Sequence, residues 1–436
     1  MRVLVIGSGA REHAMARVFA HESGVDAVVA APGNPGISAL ARSVPVDATR
    51  PADVEALAAR ERIDFTVVGP EVPLSLGIVD RFVAAGRAIF GPTQAAAELE
   101  SSKAFAKAFM QRHRIPTARF ITCESADAAL RVVRSGEFGW PVVLKADGLA
   151  AGKGVVIADT LPDAQRAIAA IMSDGTLGAA GSRLVIEERL TGPEASFFAV
   201  CDGSRALPMA AAQDHKRIFD DDRGPNTGGM GAFAPTPAVD AAMEARVMRE
   251  IVNPVVAGMA AEGTPFRGFL FVGLMLTADG PKVIEFNVRM GDPETQVVLP
   301  LVDEPLLPVL QAAAAGSLTQ TSLCRANGKY VGVVMASRGY PASSSSGQVI
   351  AGIDQAERMD GVHVYHAGTA IKDGHLVTAG GRVLTVVARG TSFDEAVARA
   401  YAATLQIHFD GMQFRRDIGR GALTSSYPHI LKSSNP

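Results

Sequence analysis

Three apolar runs near the start of the chain each end in a glycine turn, and that arrangement leaves few folds open. Val3–Ile6 runs into Gly7-Ser8-Gly9, Ala27–Ala31 into Pro32-Gly33-Asn34-Pro35-Gly36, and Phe65–Val68 into Gly69-Pro70-Glu71. Strand and helical stretches alternate across residues 1–100, which predicts an α/β fold opening on a parallel sheet, with ligands at the carboxyl ends of its strands. The first turn is not a dinucleotide fingerprint. Glu12 stands where the third glycine belongs, and no acidic residue closes the second strand. Glycine-rich turns beside a helix N-terminus still offer backbone N–H groups to a phosphate-bearing ligand.

At 436 residues the chain has room for about three domains of ~150 residues. A hydrophobic content of 48% supports sizeable cores. Net charge −3 and a pI near 6.3 give no general attraction to nucleic acid or to an anionic membrane. No apolar run reaches the ~20 residues of a membrane span, and Met1–Gly7 reads as a first strand rather than a signal peptide. Cys123, Cys201 and Cys324 are scattered and odd in number, so buried free thiols in a cytoplasmic protein are expected. Nothing demands more than a monomer.

Residues 141–158 predict a strand, a glycine-rich loop and a second strand. Gly152-Lys153 superficially suggests a P-loop, but Gly154 follows the lysine and a strand follows the loop where that motif needs Ser or Thr and a helix. The segment therefore reads as a hairpin whose glycine tip can close over phosphates and exclude water. Lys145, at the start of the hairpin and partly buried, supplies the pairing charge.

Val283–Val288 reads as a strand, and its period of two puts Val283, Glu285 and Asn287 on one face, with Ile284, Phe286 and Val288 on the other. Glu285 and Asn287 form a compact pair of hard oxygen ligands of the kind Mg²⁺ takes from protein, water and nucleotide phosphates completing the shell. Arg289 and Asp292 flank the Gly291 turn where a substrate could sit. The segment from Gln213 to Gly231 is long, polar and glycine-rich inside an apolar chain, which marks a binding loop; its Asp220-Asp221-Asp222 triplet lacks the spacing of a calcium loop. Beyond residue 325, strands Val331–Ala336 and Arg382–Ala388 precede an amphipathic helix to about Leu405, started by a Ser392/Glu395 capping box.

Arg289-Met290-Gly291-Asp292-Pro293-Glu294-Thr295-Gln296 resembles the signature of the phosphoribosylamine–glycine ligases, enzymes of the ATP-grasp superfamily. That family normally has Phe at Met290, a swap that keeps an apolar side chain of similar volume. Its motifs also match Gly7-Ser8-Gly9-Ala10-Arg11-Glu12-His13, Pro32-Gly33-Asn34, Asp214-His215-Lys216-Arg217, Gly224–Gly231, His366–Thr369 and Gly380–Leu384, so the resemblance covers residues 1 to about 422.

The resemblance implies an N-terminal phosphoribosyl-substrate domain (1–102), an ATP-grasp domain (103–325) with a mobile lid at about 120–190, a small C-terminal α+β domain (326–422) and a loose tail (423–436). It implies ATP bound by Lys103, Lys145, Gly152 and Lys153, with Glu187, Glu188 and Leu190 around the adenine and Glu194 on the ribose. Glu285 and Asn287 would hold Mg²⁺ or Mn²⁺. Gly9, Asn34, Asp214, His215, Lys216, Gly291 and Asp292 would contact glycine and 5-phosphoribosylamine. Arg289 would hold the glycine carboxylate, and Asp292 an ammonium. No nucleophilic serine or cysteine is required, because an acyl phosphate already activates the carboxyl and the enzyme must align reactants and neutralise charge.

Overall fold

The computed structural model describes residues 1–149, 154–173 and 178–423. Gly152 and Lys153, and the tail from residue 424, lie outside the described residues.

The N-terminal sheet is parallel, in the order Arg42–Ser43, Ala27–Pro32, Arg2–Gly7, Phe65–Val68, Ile89–Phe90. Strand order reverses between Arg2–Gly7 and Phe65–Val68, which opens a crevice at their carboxyl ends. Glu12, on the helix Ala10–His21, fills that crevice where a dinucleotide fold would leave a third glycine. Its carboxylate accepts the Gly9 N–H at 2.6 Å, and a Cβ on Gly7 would come within 2.5 Å of Glu12 Cγ. The glycines here make room for a carboxylate.

The lid sheet is antiparallel, in the order Phe120–Cys123, Leu184–Glu188, Val142–Ala146, Val155–Ala158. Helices Ala126–Ser135 and Leu161–Ile168 cover it around a core of its own. Lys145 pairs with Val155 across the expected hairpin.

A third sheet runs Ala206–Pro208, Glu194–Asp202, Arg267–Thr277, Gly280–Asn287. Here the predicted alternation fails. A register shift pairs Gly273 with Glu285 but Leu274 with Val283, leaving Ile284 as the extra residue of a bulge. Val283 consequently joins Phe286 and Val288 in the core, while Ile284 turns to the cavity lined by Glu194 and Lys216.

The last large sheet joins Gln213–Asp214 and Gly231–Ala234 from the polar loop to Lys329–Ala336, Arg382–Gly390 and Val362–His366. The binding loop is therefore hydrogen-bonded into the C-terminal sheet. The helix Phe393–Thr404 starts as expected at Ser392, whose hydroxyl accepts the Glu395 N–H, but the Glu395 carboxylate accepts Thr391 N–H at 2.7 Å, so the reciprocal half of the capping box falls one residue earlier. Cys123 and Cys201 are buried free thiols; Cys324 is exposed, which corrects that part of the expectation. No helix among the described residues is long and apolar enough to cross a membrane.

Candidate active site

Three lysines converge where the lid sheet meets the third sheet. Lys103 opens the helix Lys103–Arg112, whose N-cap Ser102 also donates to Asp147 at 3.0 Å, and Lys103 Nζ donates to the Gly148 carbonyl at 2.9 Å. Lys145 Nζ donates to the Ile284 carbonyl at 3.0 Å, so the bulge on one sheet meets the lysine of the other. Burial pulls Lys103 below the usual lysine range against the attraction of Glu285. Lys107, one turn further along the helix, is buried and pushed down to about 8 by desolvation.

The expected adenine residues divide. Glu187 is buried and its carboxylate is taken by Lys145 and Lys107. Glu188 turns outward, accepting from Arg119 N at 2.9 Å and Nε at 2.8 Å. Both side chains are thereby committed to the protein, and the Glu188 N–H donates to the Arg119 carbonyl at 3.1 Å, so a base edge here would meet the main chain beyond Glu188. Glu194 lies 3.3 Å from Lys216 Nζ, which also approaches Glu285 at 3.9 Å. Glu194, outweighing burial and joined by Glu285, raises Lys216 above the usual lysine range.

Glu285 keeps 36% of its side chain open. Burial would raise its carboxyl, but Lys216, Lys145, Lys103 and Arg289 together hold it below the usual range. Asn287 is buried, accepts from Arg289 Nη2 at 3.1 Å, and leaves its own Nδ2 without a partner. The open, ionised Glu285 carboxylate offers hard oxygens to a divalent cation, whereas Asn287 Oδ1 already accepts from Arg289 and its unpartnered Nδ2 is a donor, so Asn287 adds a ligand oxygen only where Arg289 shares or releases it. No group of three or more His, Cys, Asp or Glu forms a closed metal cage among the described residues, so such a cation would depend on phosphate and water for its remaining ligands.

Arg289 is more occupied than its expected role implies. Its guanidinium reaches Glu71 at 3.1 Å, Glu100 at 2.9 Å, Asn287 at 3.1 Å and the Met290 carbonyl at 3.2 Å. Direct capture of a carboxylate requires one of these partners to release it. Met290 itself is buried in the core, as an apolar replacement should be.

The residues expected to meet the acceptor come from all parts of the chain. Asp292 accepts from Gln296 at 2.8 Å and Arg382 at 3.2 Å, and the Arg382 guanidinium also binds the carbonyls of Asp292 and Gly228. Burial works against the Asp292 carboxylate, but Arg382 and Arg11 keep its pKa below the usual range. Gly9 faces it: a Cβ there would lie 3.6 Å from Asp292 Oδ2. Gly291 is hemmed in by the Glu294 carboxylate, with no room for a side chain. Asn34 is saturated, donating to the carbonyls of Ser8 and His366 at 2.8 Å each and accepting from Ile37 N–H at 2.9 Å. Its side chain braces the turn, and any ligand contact there falls to the backbone.

Asp214 lines the cavity shared by Glu194, Ser196, Lys216 and Ile284, and its Oδ1 has no partner. Burial and the neighbouring Glu294 carboxylate push Asp214 well above the usual range. Glu294 is itself raised by burial and accepts from Ser196 at 2.9 Å. His215 is buried with an unpartnered Nδ1, and burial, then Arg415, lowers it to about 4, so the ring is neutral. Sequence reasoning missed Glu71, Glu100, Lys107, Glu294 and Arg382 as site residues. Only Glu294 and Arg382 carried a signal, since both stand inside recognised motifs.

Family models match most of the chain: the phosphoribosylglycinamide synthetase N domain over residues 1–100, its ATP-grasp (A) domain over 101–295 and its C domain over 330–421. A phosphoribosylamine–glycine ligase of Xylella fastidiosa strain Temecula1 is 52% identical over 427 residues, covering 97% of this chain and 98% of the relative. One from Ralstonia nicotianae is 52% identical over 425 residues, covering 97% and 100%. The crystal structure of the Thermotoga maritima phosphoribosylamine–glycine ligase superposes with a TM-score of 0.83 at 34% identity, covering 96% of this chain and 100% of that one. Biotin carboxylase of Campylobacter jejuni, in complex with a β,γ-ATP ligand, shares the fold at a TM-score of 0.73 and 15% identity, covering 95% and 92%. With three domain models in register and half the residues identical over nearly the full length, this chain belongs to the phosphoribosylamine–glycine ligase family.

Proposed function

We propose that this enzyme makes glycinamide ribonucleotide, ADP and phosphate from ATP, glycine and 5-phosphoribosylamine through a glycyl phosphate intermediate. The observation that carries the reading is Glu285, ionised and part-open in a cleft ringed by Lys103, Lys145, Lys216 and Arg289. Phosphoryl transfer asks a site for positioning and charge neutralisation. Lys145 and Lys103 offset the charge of the ATP phosphates, while Arg289 adds a fixed positive charge beside the glycine carboxylate. Mg²⁺ or Mn²⁺, held by Glu285 and Asn287, would neutralise phosphate charge as the γ-phosphoryl group moves. Asp292 holds an ammonium, Asp214 and His215 the ribose or the amine, and Lys216 a phosphate. A lid closing over the site would keep out water that hydrolyses glycyl phosphate.

The reading keeps the division into 1–102, 103–325 with a lid at about 120–190, and 326–422, and takes the enzyme to be a cytoplasmic monomer. Phosphate release from ATP and Mg²⁺ with glycine, with and without fresh phosphoribosylamine, tests the reaction. Turnover that requires both substrates supports it, and turnover only with another acid–amine pair overturns the substrate assignment. Asp292→Asn and Lys216→Ala test the acceptor roles; unchanged saturation curves would reject them.

A further inference from the structure

The acidic triplet Asp220-Asp221-Asp222, which the reaction leaves unused, is gripped by the end of the C-terminal domain. Arg415 is 2% exposed and the largest of the fully buried side chains. Its Nε and Nη2 bind both oxygens of Asp417 at 2.7 and 2.6 Å. Nη1 donates to Asp222 at 2.7 Å and to the Arg217 carbonyl at 3.1 Å. Around this fork, Asp221 N–H donates to Asp417 at 2.9 Å, Arg416 N–H to Asp220 at 2.7 Å, and Arg420 pairs with Asp221 at 3.3 Å. Tyr401 donates to the Arg415 carbonyl at 3.0 Å and so anchors the segment to the helix behind it.

Two further features show that the clasp fixes a conformation the loop would not choose alone. Asp221 and Asp222 have φ of 57° and 50°, a left-handed backbone that non-glycine residues adopt uncommonly, and two in a row more so. At the open end of the antiparallel hairpin formed by Arg217–Phe219 and Arg223–Asn226, Thr227 holds the Lys216 carbonyl through N–H at 2.7 Å and hydroxyl at 2.8 Å. Thr227 thus fixes Lys216, and the carbonyl of the very next residue, Arg217, rests on Arg415. A bidentate, desolvated guanidinium tolerates little displacement, so its geometry passes directly to the loop.

We propose that Arg415 is a positioning residue for the acceptor half of the reaction: with Asp222 and Asp417 it sets where His215 and Lys216 stand relative to Glu194 and Glu285. The proposal rests on the ligase reading above and concerns how this chain places the loop. Lys103 and Lys145, like Glu194 and Glu285, lie on elements outside the clasped loop, so the clasp should act far more on acceptor substrates than on ATP.

The test uses the full chain with Arg415→Lys and, because a buried change can prevent folding, Asp222→Asn, whose side chain is 70% exposed. In Asp222→Asn, kcat/KM for phosphoribosylamine is expected to fall about tenfold while KM for ATP stays within about twofold. Amide exchange at residues 214–217 should quicken with the lid sheet unchanged. Equal losses for ATP and acceptor, or unchanged exchange at 214–217, overturn the proposal, as does a drop in thermal stability with the kinetic constants intact. Failure of the ligase reading would show in the unaltered enzyme, whereas failure of the clasp shows only in the ratio of variant to parent.

Discussion

Lys145 Nζ lies 3.0 Å from Glu187 Oε2 on the neighbouring strand of the lid sheet, and both side chains are buried. The other oxygen of Glu187 lies 3.1 Å from Lys107 Nζ, so one carboxylate balances two ammonium groups. Glu187→Ala strands both cations in a dry site, and removing one partner of a buried pair typically costs about 3–5 kcal/mol. A clear fall in melting temperature together with a raised KM for ATP is expected. A melting temperature equal to that of the parent would reject the account.

Glu285→Gln keeps the shape of the cleft and removes the charge on which four cations converge. Because the side chain is part-open, folding should be little affected. Turnover should fall by about a hundredfold or more, with half-activation moved to higher Mg²⁺. A Mg²⁺ titration of phosphate release checks both, and an unshifted titration would remove Glu285 from the metal role.

Acid should weaken the fold before the carboxylates titrate. His13, His215 and His366 are drawn from 6.5 down to about 3, about 4 and about 4, with burial the largest cause in each. In the unfolded chain these rings take up protons near pH 6.5, while in the fold they stay neutral. Stability is therefore full above pH 6.5 and is lost as pH falls toward 4, at up to about 1.4 kcal/mol per unit for each ring. Melting temperatures between pH 7.5 and 5 should trace this slope, and His366→Asn should make it shallower. A flat profile over that range would contradict the assignment.

Gly69→Ala drives a Cβ into the Glu12 carboxylate, which cannot retreat because Gly9 N–H and Arg11 hold it. Overpacking of this kind costs about 1–3 kcal/mol. Loss of stability with weaker phosphoribosylamine binding is expected from calorimetry and saturation kinetics; an unaffected variant would show that the carboxylate is free to move.

Local pattern made much of this legible. The glycine turns after Ile6, Ala31 and Val68 announced the parallel sheet, and the spacing from Lys145 to Val155 announced the lid hairpin. What stayed hidden depends on distant pairing. Val283 faces the core only because Gly273 and Leu274 shift register across from it, which no single strand reveals. Asn34 looks like a ligand residue until Ser8 and His366 are seen to occupy its amide. Glu71 and Glu100 lie far from Arg289 in sequence and meet it only after folding.

Arg382 carries one more consequence. It is made ninety residues after Asp292, yet it holds that residue's carboxylate and carbonyl together with the carbonyl of Gly228. A growing chain thus completes Lys103 and Lys145, proposed for the nucleotide, long before the arginine that secures the proposed acceptor side. During synthesis, the part that can hold ATP precedes the part that gives ATP something to do.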